Sequence, residues 1–138
     1  MKILLDTNII IDILSKREGY VTSLQLLRYC ETKKLEGVVS TTTITDVMYI
    51  LRKQTTPQLL REAIQALLTI ADVAGVTKVD INRALSSDMS DFEDAVQAAC
   101  AKRIKADYIV TRNLKDFAGS QVRAISPENM LKLLEHTP

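Results

Sequence analysis

Short runs of apolar residues alternate along the chain with longer stretches in which apolar positions recur every three or four residues. Ile3-Leu4-Leu5 is the first short run. Val38-Val39, a segment around Val73 to Val79, Tyr108-Ile109-Val110, and Val122 to Ile125 follow it. Runs of this kind suit strands buried on both faces. The longer stretches read as amphipathic helices. Leu59, Leu60, Ala63, Ile64, Leu67, Leu68 and Ala71 form one stripe at helical spacing, behind Thr56 as N-cap and Pro57 at the first helical position. Ser126-Pro127 opens a last helix in the same way, with Leu131 and Leu134 facing inward. Strands alternating with helices predict an α/β domain with a mostly parallel sheet.

Composition narrows the chemistry. The 138 residues suit one domain over 1–138, with no linker visible. An apolar fraction of 46% with 25% charged residues excludes disorder for most of the chain. The net charge of +1 is too small to bind nucleic acid by charge alone. Work on a phosphate backbone would need a local feature, and metal ions are the first candidate. Cys30 and Cys100 are far apart and outside any C-x-x-C, so they read as two buried free thiols rather than a disulfide or zinc site. No signal-peptide pattern and no apolar stretch of membrane-spanning length is visible, so a cytoplasmic protein with no membrane partner is expected.

In parallel α/β sheets, ligands bind outside the carboxyl ends of the strands, so the residues after each strand matter most. Asp6-Thr7-Asn8 follows the first run. Ser40 to Thr43 and then Asp46 follow the second, and Thr111-Arg112-Asn113, with Asp116 close behind, follows Tyr108 to Val110. Ser90-Asp91-Phe92-Glu93-Asp94 opens an Ala-rich helix just before that strand. Parallel strands would gather these groups at one edge. Clustered carboxylates repel and raise one another's pKa unless a cation sits among them, and hard oxygen ligands select magnesium or manganese. The lone histidine, His136, excludes a histidine-pair mechanism and a histidine zinc site.

Each acid also has a plain structural reading. Thr43 to Asp46 fits a capping box, and Ser90 or Asp91 can cap the next helix with Glu93 or Asp94 closing the box. Asp116 can be a turn residue. Asp12, Asp72, Asp80, Asp88 and Asp107 read as surface or turn groups. Asp6 resists such a reading most, because it ends an apolar strand with no basic neighbour in sequence. Lys102, Arg103, Lys105, Arg112 and Lys115 are either a solvated face, the commoner case, or a source of phosphate contacts, with Arg112 best placed because it lies between Thr111 and Asn113, and Lys115 close behind. Aromatic residues are 4% with no Trp, so bases stacked on several rings are not expected.

Taken in order, these segments resemble a known family. Leu4-Leu5-Asp6-Thr7-Asn8 resembles the opening strand motif of PIN domains. Asp94 to Ala101 resembles the family's Asp-led small-residue helix, and Tyr108 to Asn113 with Asp116-Phe117 resembles its late strand and turn. The likeness runs from Met1 to the last helix and extends to VapC-like toxin ribonucleases. It implies a three-layer domain, a central mostly parallel five-stranded sheet flanked by helices. It also implies cleavage of single-stranded or structured RNA that depends on one or two magnesium or manganese ions. Asp6 and Asp94 match the direct metal ligands. Asp46 stands where the family usually has Glu, one methylene longer. Asn113 stands where a fourth acid is often found, so either Asp116 takes that place or the site has one carboxylate fewer. Asp91, Thr7, Asn8 and Thr111 are implied as supporting groups. The resemblance further implies a homodimer and a small antitoxin that blocks the site.

Two rivals remain open. A non-catalytic RNA- or protein-binding module is favoured by Asp46 and Asn113. A magnesium phosphatase or phosphotransferase resembling haloacid dehalogenases would need an acid where Asn8 stands, and no glycine-rich phosphate loop is present.

Overall fold

The five apolar runs all contribute strands, and six of the seven helices start beside a residue able to cap them. The computed structural model describes residues 1–136. Its elements are β1 (Lys2–Leu5), α1 (Thr7–Ser15), α2 (Tyr20–Glu31), β2 (Glu36–Ser40), α3 (Thr41–Ile50), α4 (Pro57–Leu68), β3 (Asp72–Ala74), α5 (Lys78–Leu85), α6 (Phe92–Arg103), β4 (Tyr108–Val110), a 3-10 turn (Leu114–Phe117), β5 (Ala124–Ile125) and α7 (Pro127–Glu135). The strands lie in the order β3-β2-β1-β4-β5, and every neighbouring pair is parallel. Successive strands therefore run outward from β1 in one direction and then, after α6, from β4 in the other. The reversal leaves a crevice at the carboxyl ends of β1 and β4, the position at which such sheets take ligands.

Side-chain alternation divides the core between the two faces of the sheet. Ile3 and Leu5 pack with Ile9, Ile10, Leu26, Val47, Ile64 and Met130 on one face. Leu4 packs with Val38, Ile109, Ala98, Ala101, Phe117 and Val122 on the other. The two faces make the three layers that the family resemblance implies. In α6 every residue from Ala95 to Ala101 is buried, because the helix lies against the sheet on one side and against α5, through Ala84, Ala95 and Val96, on the other. Among the described residues no helix is long and apolar enough to cross a membrane. Cys30 and Cys100 are both buried free thiols.

Four local expectations need correction. The segment 73 to 79 is a strand only at its start, because Asp80 Oδ2 accepts from the Thr77 N–H at 3.0 Å and so opens α5. Within α4 the inward stripe is Leu60, Ile64 and Leu67, while Leu59 and Leu68 face water. Asp80 and Asp12 are buried rather than superficial. Asp80 Oδ1 and Oδ2 accept from Arg103 Nε at 3.0 and 3.2 Å, which ties α5 to the end of α6 and satisfies a charge that would otherwise be costly to bury. Finally, α3 starts three residues earlier than the Thr43 box requires. Its N-cap is Ser40, whose Oγ accepts from the Thr43 N–H at 3.2 Å. Ser40→Ala should lower stability by about 1 kcal/mol, read by urea denaturation. No measurable change would show the cap to be idle.

Candidate active site

Asp6 ends β1 and caps α1. Its Oδ1 accepts from the Thr7 N–H at 2.8 Å and its own N–H donates to the Val110 carbonyl at 3.0 Å. The first bond is what a structural cap would provide. The others go beyond it. Thr111, fully buried at the end of β4, donates its hydroxyl to Asp6 Oδ2 at 2.8 Å, and Gln97 Nε2 reaches Asp6 Oδ1 at 3.4 Å. Burial nevertheless dominates over these bonds and, helped by the charge of Asp116, lifts the Asp6 carboxyl above its ordinary range.

Asp94 reaches the same crevice from α6. Asp91 is the N-cap of that helix, its Oδ1 accepting from the Asp94 N–H at 3.0 Å, so Asp94 sits in the first turn. Its carboxyl is pushed up to about 7, first by loss of hydration and then by the charges of Asp91, Asp6, Asp116 and Glu93. Asp116, on the 3-10 turn after β4, thus acts on both Asp6 and Asp94. These acids come from three separate parts of the chain.

A cleft of about 620 Å³ opens over this point. Asp6, Thr7, Asn8, Asp46, Glu93, Asp94, Gln97 and Asn113 supply its polar lining. Asp46 lies in the second turn of α3, past the capping positions, which removes the cap reading for it. Burial raises its carboxyl, without the repulsion that links Asp6, Asp94 and Asp116. Asp46 therefore faces the same cleft but stands apart from the coupled acids.

The supporting groups form a bonded floor. Thr7 Oγ1 lies 2.8 Å from Thr43 Oγ1, and Gln97 Nε2 donates to Thr43 Oγ1 at 3.0 Å. Asn8 Nδ2 donates to Thr111 Oγ1 at 3.3 Å, and Asn8 Oδ1 accepts from the Arg112 N–H at 3.4 Å. The Asn113 N–H donates to Thr111 Oγ1 at 3.1 Å. Arg112, expected at RNA phosphate, instead places its Nε 2.9 Å from Asp12 Oδ2, because the buried Asp12 carboxylate on α1 needs a cation. Lys115 is exposed on the 3-10 turn beside Asp116. Arg103 is held on Asp80 at the far end of α6.

Sequence reasoning passed over Gln97 as a site residue, and it placed Thr43 at the sheet edge but read it only as a helix cap. Gln97 has a signal in hindsight: it is the one polar residue in an alanine-rich buried stretch, three positions after Asp94 and so on its face of the helix. The role of Thr43 in meeting Thr7 and Gln97 across the fold has no mark beyond its place after β2.

The donor set consists of oxygens only, which suits a hard divalent cation. Among the described residues no three acid, histidine or cysteine side chains form a complete ion site as they stand. That is compatible with magnesium, which keeps several waters and takes only one or two carboxylates. The repulsion raising Asp94 is what a cation between these acids would relieve.

A parallel sheet with an acid-lined cleft at its switch point defines an α/β domain with a candidate metal-assisted hydrolytic site. The sequence matches the family model described as PIN domain over residues 2–115, and the chain belongs to the PIN-domain family. It is similar to the protein named ribonuclease VapC1 of Aquifex aeolicus (strain VF5), with 26% identity over 133 residues, 92% of this chain and 91% of that protein. It also resembles a chain of a toxin–antitoxin complex from Klebsiella pneumoniae, with a TM-score of 0.69 and 26% identity over 90% of this chain and 96% of that one. The likeness to VapBC2 from Rickettsia felis, solved bound to a promoter DNA fragment, is one of fold, with a TM-score of 0.73 and 16% identity over 91% of this chain and 98% of that one.

Proposed function

We propose that this chain is a divalent-metal-dependent endoribonuclease that hydrolyses RNA phosphodiester bonds and serves as the toxin of a toxin–antitoxin pair. The observation that carries the reading is the convergence of Asp6, from the end of β1, and Asp94, from α6, on one cleft, with Asp116 on the turn after β4 near enough for its charge to raise both. Similarity to a protein named as a ribonuclease, and to a chain from a toxin–antitoxin complex, supports the substrate class and the partner.

Asp6 and Asp94 would hold the magnesium or manganese ion, with Asp116 completing the set and Asp46, on α3, orienting water. A bound ion would bind the scissile phosphate, acidify a water and stabilise the leaving oxygen. The chain's own residues then have distinct tasks. Thr111 and Gln97 keep Asp6 aimed by bonding one oxygen each. Asn8 and Asn113 hold the Thr111 hydroxyl, so its proton stays directed at Asp6. Asp91 fixes the first turn of α6 and with it the position of Asp94. Lys115 is free of an ion pair with Asp12 and takes the role of phosphate contact that Arg112, held by Asp12, fills less readily. A homodimer, an antitoxin covering the cleft and a cytoplasmic location belong to the same reading.

The test is incubation of the purified protein with RNA in magnesium, in manganese and in EDTA. Cleavage is expected with either metal and none in EDTA. Cleavage that persists in EDTA, or fails with both metals, would overturn the reading. The separateness of Asp46 favours one rival, a binding module without catalysis, in which RNA is bound in metal but never cut.

A further inference from the structure

The cleft lining mixes acids with apolar side chains. Beside the acids stands an apolar lining of Ile11, Tyr49, Ile50, Ile81 and Phe92. The chain has four tyrosines and two phenylalanines. Among these only Tyr49 and Phe92 are exposed, at 65% and 47%, and both line this cleft. Rings are usually buried for the large area they remove from water, so two left in solvent at one place mark a surface kept for a ligand. Tyr49 comes from the last turn of α3 and Phe92 from the first turn of α6. Both rings thus sit on the helices that bear Asp46 and Asp94.

Charge identifies the occupant. The Arg52 guanidinium lies over the Tyr49 ring, 3.8 Å from its centroid, and its Nη1 donates to the Tyr49 carbonyl at 2.7 Å. Tyr49 stays 65% exposed with that face covered. A ring held against a cation beside a cleft of about 620 Å³ suits a ligand that joins a flat π face to a negative backbone.

We propose that Tyr49 and Phe92 form a stacking platform for an unpaired base beside the scissile phosphate, with Arg52 supplying the adjoining positive charge. RNA is then taken as a single strand, because a base inside a duplex offers no free face. This inference rests on the ribonuclease reading above. It also revises the expectation from composition: few rings are present, but the exposed ones are gathered at the site.

The experiment uses a ten-nucleotide single-stranded RNA carrying 2-aminopurine, with calcium in place of magnesium. Tyr49→Ala and Phe92→Ala should each weaken binding by about tenfold and abolish the 2-aminopurine quenching, while Tyr49→Phe keeps both. The unaltered protein should bind the single strand more tightly than the matching duplex. Alanine variants that bind within twofold of the parent would overturn the platform, and cleavage by the parent would leave the ribonuclease reading standing. A parent that neither binds nor cleaves RNA would end both. Loss of RNA binding that accompanies a change of oligomeric state by light scattering would make the patch an interface between protein chains and overturn the platform.

Discussion

Asp6→Asn is expected to cut metal-dependent RNA cleavage by roughly 10²–10³-fold or more, the scale lost when one preorganised electrostatic group is removed from an active site. The fold should survive. The amide keeps the size of the carboxylate, and its oxygen can still accept from the Thr7 N–H and the Gln97 amide. Its NH2 then faces Thr111 Oγ1, whose two lone pairs already accept from Asn8 and from the Asn113 N–H, so the Thr111 bond is lost at a cost of about 1–3 kcal/mol. Asp6→Ala should behave differently. It removes the acceptor for both the helix cap and Gln97, and unpaired buried donors cost about 1–3 kcal/mol. Initial rates on one RNA, with urea denaturation of both variants, separate the cases. An Asn variant that cleaves like the parent would show that Asp6 is only a cap.

The placement of Asp6 and Thr111 was legible in the sequence because each follows a short apolar run. Two such runs buried side by side in a parallel sheet bring their carboxyl ends together whatever the connections between them. Asp94 stayed open between helix cap and ligand on spacing alone, and only the family resemblance singled it out from Asp91 and Glu93. The β3 to α5 segment was misread because Val73, Val76 and Val79 look alike in a hydropathy pattern. The local capping bond between Thr77 and Asp80 decides for helix there. Thr43 in turn shows the reverse, a plausible capping box displaced by Ser40 three residues upstream.

What stayed hidden are pairings between distant residues. The partner of Arg112 is Asp12, 100 positions away, and neither carries a mark that links it to the other. Gln97 matters because Thr43 stands opposite it, 54 positions away. The two exposed rings escaped for a different reason. Composition counts rings but does not tell which remain exposed, and the meaning of Tyr49 and Phe92 lies in their exposure at one cleft.

Asp94→Asn should make the metal-free protein more stable at pH 8 while removing its activity. A carboxyl held at about 7 in the folded protein keeps a proton that the unfolded chain, titrating near about 3.9, has already lost. Between these values the folded state binds more protons, so the stability of the parent falls as pH rises from about 4 to about 7 and is flat above. A carboxyl raised that far carries at most about 4 kcal/mol of destabilisation. Asp94 is half-buried, so water screens this to about 1–2 kcal/mol. The amide has no charge to desolvate and no repulsion with Asp6, Asp91, Glu93 and Asp116. Its advantage over the parent should therefore appear at pH 8 in EDTA and vanish near pH 4, as read by urea denaturation. Adding magnesium should reverse the order, because an ion that binds only the folded parent stabilises it in proportion to RT ln(1 + [L]/Kd). A variant no more stable than the parent at pH 8 would mean that the acids do not strain one another. With that strain goes the physical reason for a cation between them, since an ion beside Asp94 would relieve the repulsion that helps to raise its carboxyl.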